Sequence, residues 1–269
     1  MCGIVGYIGP RQAQTVILQG LKRLEYRGYD SAGVAVLAQN GHIAVRRDVG
    51  KLNNLEAMVA SSPLAGHIGI GHTRWATHGA PTQRNAHPHV SMNGRVVVVH
   101  NGIVENYLAL RSELSAEGVS FASETDTEVI VQLIERYLDA GQSFETAVRQ
   151  TLQQLKGANA VVAMCLDNPD RLICARLGNA GGITIGLGDE EVFIASDIPA
   201  ILEYTRDMIF LENRQMAIVT PHSFEITTLD GRPSTPDRHT IAWDPVSAAK
   251  GEYKHFMQKE IFEQPRALI

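Results

Sequence analysis

The order in which strand and helix patterns follow one another constrains the fold of this chain most. Short β-branched runs recur along residues 4–228, whereas three of the four helical patterns are grouped between residues 106 and 155. A strict alternation of strands and helices would indicate a parallel sheet, but grouped helices are typical of α+β folds. The sequence therefore predicts packed, mainly antiparallel sheets and not a doubly wound parallel sheet.

The individual elements are predicted from apolar periodicity and from turn residues. Strands are predicted over residues 4–8, 33–38, 42–48, 68–73, 95–100, 159–166, 172–176, 183–187, 192–195, 207–211, 215–219 and 223–228. Helices are predicted over residues 12–23, 106–117 and 143–155, and a fourth begins at the capping-box pattern Thr-Asp-Thr-Glu of residues 125–128. Asn40-Gly41 predicts a hairpin turn. Residues 76–94, rich in Gly, Pro, His and Asn, predict a long functional loop.

Composition excludes several classes of function. Lys and Arg number 24 against 29 Asp and Glu, which gives a formal net charge of −5 and no basic excess for general nucleic-acid binding. No apolar run approaches a membrane span, and the first residues lack the pattern of a signal peptide. The three cysteines, Cys2, Cys165 and Cys174, are too few for a disulfide framework. We expect a cytoplasmic protein with no nucleic-acid and no membrane partner.

Cys2 is the most suggestive position for chemistry. Removal of Met1 would leave Cys2 with a free α-amine, whose pKa of about 7.7–8.0 suits a base near neutral pH. An N-terminal nucleophile can thereby carry its own general base. The alternative, a chance residue on a frayed terminus, is disfavoured because the strand predicted directly after Cys2 would hold the terminus in a sheet. Cys165 and Cys174 lie in predicted strands and are interpreted as core residues.

Three further polar positions follow predicted strands or begin a predicted helix. Arg74 could bind a carboxylate through two hydrogen bonds, but a lone surface arginine has the same signature. Asn101 and Gly102 could together supply two donors to an oxyanion, although Asn-Gly is also a common turn. Asp126 falls in the first turn of the predicted helix, where the helix dipole alone favours an acidic residue. From the residues alone these alternatives stay open.

Six of the ten histidines are concentrated between residues 67 and 100. Their spacing matches no zinc-binding pattern, and no nearby cysteine offers a second type of ligand. We therefore interpret them as hydrogen-bonded histidines and expect no metal site.

Several motifs together carry a family resemblance. The opening Cys2-Gly3-Ile4-Val5-Gly6 resembles the class II glutamine amidotransferases. Within them, the chain is similar to the glucosamine-6-phosphate synthases (glutamine–fructose-6-phosphate aminotransferases, isomerising) in the runs YRGYDSAG at 26–33, HTRWATHG at 72–79, NAHPH at 85–89, HNGIVEN at 100–106 and SETDTE at 123–128. The resemblance covers residues 2–228 and resumes at residues 250–261.

The resemblance implies a four-layer αββα sandwich of the N-terminal-nucleophile hydrolases, α+β with two mainly antiparallel sheets. It implies hydrolysis of L-glutamine to glutamate and ammonia through a thioester on Cys2, without a metal or organic cofactor. The roles it implies are an oxyanion hole at Asn101 and Gly102, binding of the glutamine α-carboxylate by Arg74 and of the α-ammonium by Asp126, closure of a loop over glutamine by Trp75, Thr77 and His78, and orientation of the site by Arg27.

The same resemblance implies a division of the chain. Residues 2–228 would form the glutaminase domain, residues 229–252 a linker, and residues 253–269 the truncated start of a sugar-isomerase region. Fructose 6-phosphate would bind only through the missing isomerase half. Residues 178–182, Gly-Asn-Ala-Gly-Gly, depart from the family pattern, and we expect none of the roles above to depend on them. Two alternatives stay open: a class II amidotransferase with another acceptor, and a non-catalytic regulatory module.

Overall fold

Two antiparallel sheets face each other in this structure, a computed structural model that describes residues 2–38, 40–242, 253 and 256–267. The strands are β1 (Gly3–Ile8), β2 (Ser31–Leu37), β3 (Ile43–Val49), β4 (Ile68–Arg74), β5 (His89–Val90), β6 (Val96–Gly102), β7 (Asn159–Cys165), β8 (Leu172–Leu177), β9 (Thr184–Leu187), β10 (Val192–Ala195), β11 (Asp207–Phe210), β12 (Gln215–Val219), β13 (Phe224–Thr228) and β14 (Arg238–Thr240). The helices are α1 (Ala13–Arg23), α2 (Leu52–Ser61), α3 (Tyr107–Ala116), α4 (Glu128–Asp139), α5 (Phe144–Gln154) and α6 (Phe256–Ala267).

The first sheet has the strand order β14-β11-β9-β10-β1-β4-β2-β3, and the second has the order β13-β12-β8-β7-β6-β5. Each neighbouring pair in the described residues is antiparallel. Helices α1 and α2 pack on the outer face of the first sheet. Helices α3, α4 and α5 pack on the outer face of the second. The predicted four-layer αββα sandwich is therefore confirmed.

Both faces of both sheets are covered, which explains the continuous apolar runs of the sequence. Along β6, Val97 and Val99 belong to the core between the sheets, whereas Val96 and Val98 pack toward the helices of the second sheet. Successive side chains of a strand point to opposite faces, so a strand buried on both sides carries no polar alternation. The four consecutive valines are the consequence.

Strand β1 lies inside the first sheet, with hydrogen-bonded neighbours on both sides. It pairs with β10 from Val5 to Ile8 and with β4 over its whole length, where Gly3 is opposite Thr73. The predicted anchoring of the N-terminal segment in a sheet is confirmed. Because Gly3 begins the strand, Cys2 lies beside the end of β4.

Four details differ from the sequence analysis, and the first is helix α2, which no pattern predicted. Helix α4 begins at Glu128, not at a capping box, because the Glu128 carboxylate accepts hydrogen bonds from the backbone N–H groups of Ala122 and Ser123 instead. The predicted loop 76–94 contains the short strand β5. The predicted linker 229–252 contains β14, which pairs with β11 at the edge of the first sheet. Strand β14 depends on a partner that is distant in sequence, β11, whereas the partners of Glu128 and of β5 lie nearby in the chain, at residues 122 and 123 and on β6.

The predicted hairpin is formed by β2 and β3, which pair from Ser31 with Val49 to Leu37 with Ile43. Its residue Gln39, and residues 243–252 of the predicted linker, lie outside the described residues. Helix α6 occupies the predicted last segment. No helix in the described ranges combines the length and the apolar composition that crossing a bilayer requires.

Gly33 on β2 provides a test of how closely the loop 76–94 packs on the first sheet. A Cβ atom added there would lie 2.1 Å from the carbonyl oxygen of His87. Because that atom belongs to the backbone, relief requires movement of the loop. We expect Gly33→Ala to lower the free energy of unfolding by about 1–3 kcal/mol, measured by urea denaturation. Gly182→Ala is the control, since its Cβ would meet nothing closer than 3.7 Å. Equal stability of the two variants would contradict this packing.

Candidate active site

Cys2 lies at the junction of β1, β4 and β6. Its Sγ accepts a hydrogen bond from the backbone N–H of Trp75 at 3.2 Å. Its carbonyl oxygen accepts hydrogen bonds from Arg27 Nε at 3.0 Å and from Asn101 Nδ2 at 3.2 Å. Of the three cysteines, Cys165 and Cys174 are fully buried in the core and Cys2 is partly exposed. Cys2 is therefore the thiol that a small molecule can reach.

The surroundings of Cys2 have opposing effects on its thiol. Burial raises the pKa, while the Trp75 N–H and the charges of Arg74 and Arg27 lower it, and the result is a raised pKa. A thiol in this environment is protonated at neutral pH. Because the thiolate is the nucleophile, the site needs a base that accepts the proton as the sulfur reacts.

Asn101 and Gly102 end β6 beside Cys2. The Asn101 side chain is buried and points its Nδ2 at the Cys2 carbonyl. Gly102 has φ +132°, and a Cβ there would lie 2.2 Å from the carbonyl oxygen of Ala158. Glycine is thus required for the backbone to turn at this point. The structure brings this predicted donor pair to the same place as the predicted nucleophile.

Arg74 is buried at the end of β4, with 4% of its surface exposed. Its Nη2 donates to the carbonyl oxygens of His78 and Gly79, and its Nη1 donates to that of Ala80 at 3.4 Å. Arg74 is therefore not a solvated surface arginine, and that alternative is wrong. The guanidinium fixes the loop that follows it, and the cation faces the same interior as Cys2.

The predicted closing loop begins directly after Arg74. Trp75 is 45% exposed, and its ring meets that of Tyr29 edge to face at 5.5 Å. Thr77 is exposed, and the ring of His78 contacts the ring of Tyr107 edge to face at 5.4 Å. Besides Arg74, the loop is held by Asp30, which accepts from the Ala76 N–H, and by Asn85, which donates to the Ala80 carbonyl oxygen. These positions are compatible with the predicted role, which stays a prediction.

Asp126 is buried before α4, two residues ahead of the first helical position. Its Oδ2 accepts a hydrogen bond from the backbone N–H of Val104 at 2.8 Å. Its negative charge acts on the Arg74 guanidinium, whose pKa is lowered by burial and raised by nearby anions, including Asp126. Asp126 therefore does more than interact favourably with the helix dipole. The site thus presents a buried cation, Arg74, and a buried anion, Asp126, within electrostatic reach of each other.

Asp197 is a site residue that the sequence analysis missed. Its Oδ2 accepts a hydrogen bond from Arg27 Nη1 at 2.8 Å and another from the Tyr26 hydroxyl at 2.7 Å. Arg27 in turn holds the Cys2 carbonyl, so Asp197 fixes the arginine that orients the nucleophile. In the sequence, the feature that could have pointed to Asp197 is its position just after the predicted strand 192–195. Only the pairing of β10 with β1 shows which site it serves.

The segment 178–182 lies closer to the site than expected. A Cβ on Gly181, where φ is +135°, would lie 3.9 Å from Asn101 Nδ2 and 4.0 Å from Arg27 Nη2. Proximity to Asn101 and Arg27 does not test whether their roles depend on this segment, so the expectation that none does stays a prediction. The segment forms part of the wall beside the donor Asn101.

Four histidines form a buried cluster behind the site: His72, His87, His89 and His100. The rings of His72 and His87 stack at 4.1 Å, and His87 meets His89 edge to face at 4.6 Å. Their hydrogen-bond partners are hydroxyl, amide and carbonyl groups, among them Thr125 and Thr127. Within the described ranges no three metal-binding side chains come together. Burial lowers the pKa of all four, that of His72 to about 3.

Comparisons with known proteins identify relatives of this chain. The family model described as "Glutamine amidotransferase domain" matches residues 72–203. The glutamine–fructose-6-phosphate aminotransferase (isomerizing) of Caldanaerobacter subterraneus subsp. tengcongensis is 50% identical over 268 residues, which cover 100% of this chain and 43% of that protein. The enzyme of the same name from Pyrococcus horikoshii is 50% identical over 269 residues and is covered to 44%.

Solved structures share the fold. A glutamine phosphoribosylpyrophosphate amidotransferase from B. subtilis, complexed with ADP and GMP, superposes with a TM-score of 0.75 at 24% identity, over 91% of this chain and 56% of that one. A glutamine aminotransferase class-II domain protein from Silicibacter pomeroyi superposes with a TM-score of 0.56 at 17% identity, over 85% of this chain and 99% of that one. At these identities the likeness concerns the fold alone.

The buried histidines predict a loss of stability in mild acid. Their pKa values in the folded state lie below the value of about 6.5 for an unfolded chain, so only the unfolded state takes up protons as the pH falls below that value. For each buried histidine, the free energy of unfolding should fall by about 1 kcal/mol for each pH unit below that value. Urea denaturation at about pH 7.5 and about pH 5.5 measures the loss.

His87→Phe should lower by one the number of protons that the chain takes up on unfolding, because it removes one buried imidazole. The free energy of unfolding should then depend less steeply on pH. His222→Gln is the control, since His222 lies at the exposed turn after β12. Unfolding free energies that stay constant across the window would contradict the assignment of neutral, buried rings.

Proposed function

The chain belongs to the glutamine amidotransferase family of the glutamine–fructose-6-phosphate aminotransferases, and on that premise we propose that it hydrolyses L-glutamine to glutamate and ammonia on Cys2. The observation that carries this proposal is the position of the partly exposed Cys2 thiol beside the buried donor Asn101, with Arg74 and Asp126 in the same interior. A free amino acid presents one carboxylate and one ammonium, so a site for it needs one fixed cation and one fixed anion.

The raised pKa of Cys2 defines the first step. Once Met1 is removed, the α-amine of Cys2 accepts the thiol proton while Sγ forms a bond to the amide carbon of the glutamine side chain. Collapse of the tetrahedral intermediate breaks the carbon–nitrogen bond, and the nitrogen leaves as ammonia with that proton. Water then attacks the thioester, which releases glutamate and restores the thiol.

Asn101 and Gly102 support the tetrahedral intermediate. Asn101 Nδ2 already donates to a carbonyl oxygen beside Sγ, and the Gly102 N–H belongs to the same strand end. Two fixed donors favour the oxyanion over the ground-state carbonyl, because they need no reorientation as charge develops. Arg74 would bind the α-carboxylate of glutamine through N–H groups that now fix the loop, and Asp126 would bind the α-ammonium.

The wider reaction is a proposal about a larger protein. The chain spans about 43% of the length of the curated relatives that it matches. We propose that it is the ammonia-supplying part of an enzyme that converts fructose 6-phosphate and glutamine to glucosamine 6-phosphate and glutamate. Residues 2–228 would be the glutaminase domain, 229–252 the connection and 253–269 the start of the sugar-isomerase region, which would hold the fructose 6-phosphate.

The central experiment replaces the nucleophile. Cys2→Ala should abolish ammonia release from glutamine, measured with a coupled glutamate assay, while the unfolding transition stays unchanged because a partly exposed side chain contributes little packing. A glutamine-like electrophile should modify Cys2 and spare the buried Cys165 and Cys174, which peptide mass spectrometry resolves. Turnover by the alanine variant would refute the assignment.

Two additions sharpen this experiment. The intact mass shows whether Met1 is removed, since a retained Met1 would block the α-amine. Fructose 6-phosphate should neither stimulate ammonia release nor be aminated, because its binding region is proposed to lie outside this chain. Formation of glucosamine 6-phosphate would contradict the proposal that fructose 6-phosphate binds outside this chain.

Arg74→Lys should separate binding from chemistry. Lysine keeps the charge but loses the planar pair of donors, so we expect KM for glutamine to rise by about 10-fold or more. A substrate without the α-carboxylate should show a smaller change. The matched control is Arg149→Lys, since Arg149 contacts Thr227 and Thr228 away from the site. Equal losses on both substrates would place Arg74 outside the carboxylate contact.

A further inference from the structure

His72 connects the two sheets directly behind Asn101. It lies on β4 in the first sheet, fully buried, and its Nε2 is 3.0 Å from the carbonyl oxygen of His100 and 3.0 Å from Asn101 Oδ1, both on β6 in the second sheet. From the sequence, His72 is interpreted only as one of the hydrogen-bonded histidines between residues 67 and 100. Its contact with a predicted oxyanion donor gives it a specific position in the site.

The protonation of the His72 ring follows from its partners. A carbonyl oxygen can only accept a hydrogen bond, so Nε2 must carry the hydrogen. The other nitrogen, Nδ1, is buried and has no hydrogen-bond partner among the described residues. Burial lowers the pKa of the ring to about 3, so the ring is neutral at physiological pH. His72 is therefore the Nε2–H tautomer, with one donor shared between two acceptors.

This donor determines which way the Asn101 amide faces. With Oδ1 accepting from His72, Nδ2 is turned to the Cys2 carbonyl at 3.2 Å. A flipped amide would place its NH₂ against the Nε2–H of His72 and its oxygen against the Cys2 carbonyl oxygen. Both contacts would then be repulsive, because donor meets donor and acceptor meets acceptor.

The ring itself is held in place from behind. It stacks on His87 at 4.1 Å with an interplanar angle of 26°, and His87 Nε2 lies 3.1 Å from Thr127 Oγ1. The same hydroxyl lies 2.9 Å from His100 Nδ1. The orientation of His72 is thus fixed by its partners on β6 and by His87 of the loop 76–94, which Thr127 before α4 contacts in turn.

We propose that His72 is a positioning residue for glutamine hydrolysis, which holds the Asn101 amide so that Nδ2 and not Oδ1 faces the developing oxyanion. This inference rests on the proposed function. A flipped Asn101 would present an oxygen to the oxyanion, so the fraction of molecules with the correct orientation sets the fraction that can react. The expected signature is a fall in kcat with little change in KM, because Arg74 and Asp126 are not affected.

The test compares two substitutions of equal length and shape, His72→Gln and His72→Met. Glutamine can offer an N–H near the position of Nε2, and methionine cannot. Since loss of one oxyanion donor costs about 100–1,000-fold in kcat, loss of its orientation should cost His72→Met about 10–100-fold, with KM within about twofold. His72→Gln should recover most of that loss. Equal kcat for the two folded variants would overturn the proposal.

A double-mutant cycle tests whether His72 acts through Asn101. In the Asn101→Ala background, His72→Met should cause no further fall in kcat, whereas independent effects would multiply. Alkylation of Cys2 by iodoacetamide, which needs no oxyanion hole, should proceed at the wild-type rate in His72→Met. A slowed alkylation would mean that His72 supports the nucleophile itself, which would overturn the proposal.

His89→Phe is the control for general disturbance of the histidine cluster. His89 is buried in the same cluster but bonds to Thr125, so its loss should lower stability without the selective fall in kcat. If His72→Met does not fold, ¹⁵N NMR of the wild-type imidazole decides the question, because an Nδ1–H tautomer of His72 would refute the geometry. Wild-type ammonia release and its loss in Cys2→Ala test the proposed function separately, so failure of either idea can be recognised.

Discussion

The pairing of β1 on both of its edges is the constraint on which the site depends. Strand β1 is held by β10 and β4, so the residue before it cannot fray. The same pairing places the end of β4 beside Cys2, where the Trp75 N–H meets Sγ. It also brings Asp197, which follows β10, to the arginine that holds the Cys2 carbonyl. A residue with a fixed backbone presents its side chain in a defined direction.

The second feature of the site is the number of polar groups buried behind it. Arg74, Asp126 and the histidine cluster are removed from water, and such burial is costly unless each group finds partners. The structure supplies backbone groups to Arg74 and Asp126 and hydroxyl or amide groups to most of the imidazoles. Because a hydrogen-bonded interior group has few alternative orientations, the same partners that offset the burial cost also preorganise the site.

Much of the fold could be predicted from the sequence. Most of the strands, the grouped helices and the antiparallel arrangement follow from apolar runs, turn residues and the order of elements, and the structure confirms them, but helix α2 and strand β5 were missed. The start of α4, the strand β14 and the role of Asp197 could not be predicted. For β14 and Asp197 the deciding partner is distant in sequence, on β11 and at Arg27, whereas Glu128 binds the backbone of the nearby residues 122 and 123 in place of a capping box.

By itself, the sequence determined which residue types are available for chemistry: a second-position cysteine, an arginine after a strand, an Asn-Gly pair and an aspartate before a helix. These are properties of composition and local order. Only the tertiary structure decided that they share one interior, that the Arg74 guanidinium binds the loop 78–80 and that His72 faces Asn101. The physical reason is that hydrogen bonds and burial between sheets depend on strand order and register, and neither is encoded in any single segment.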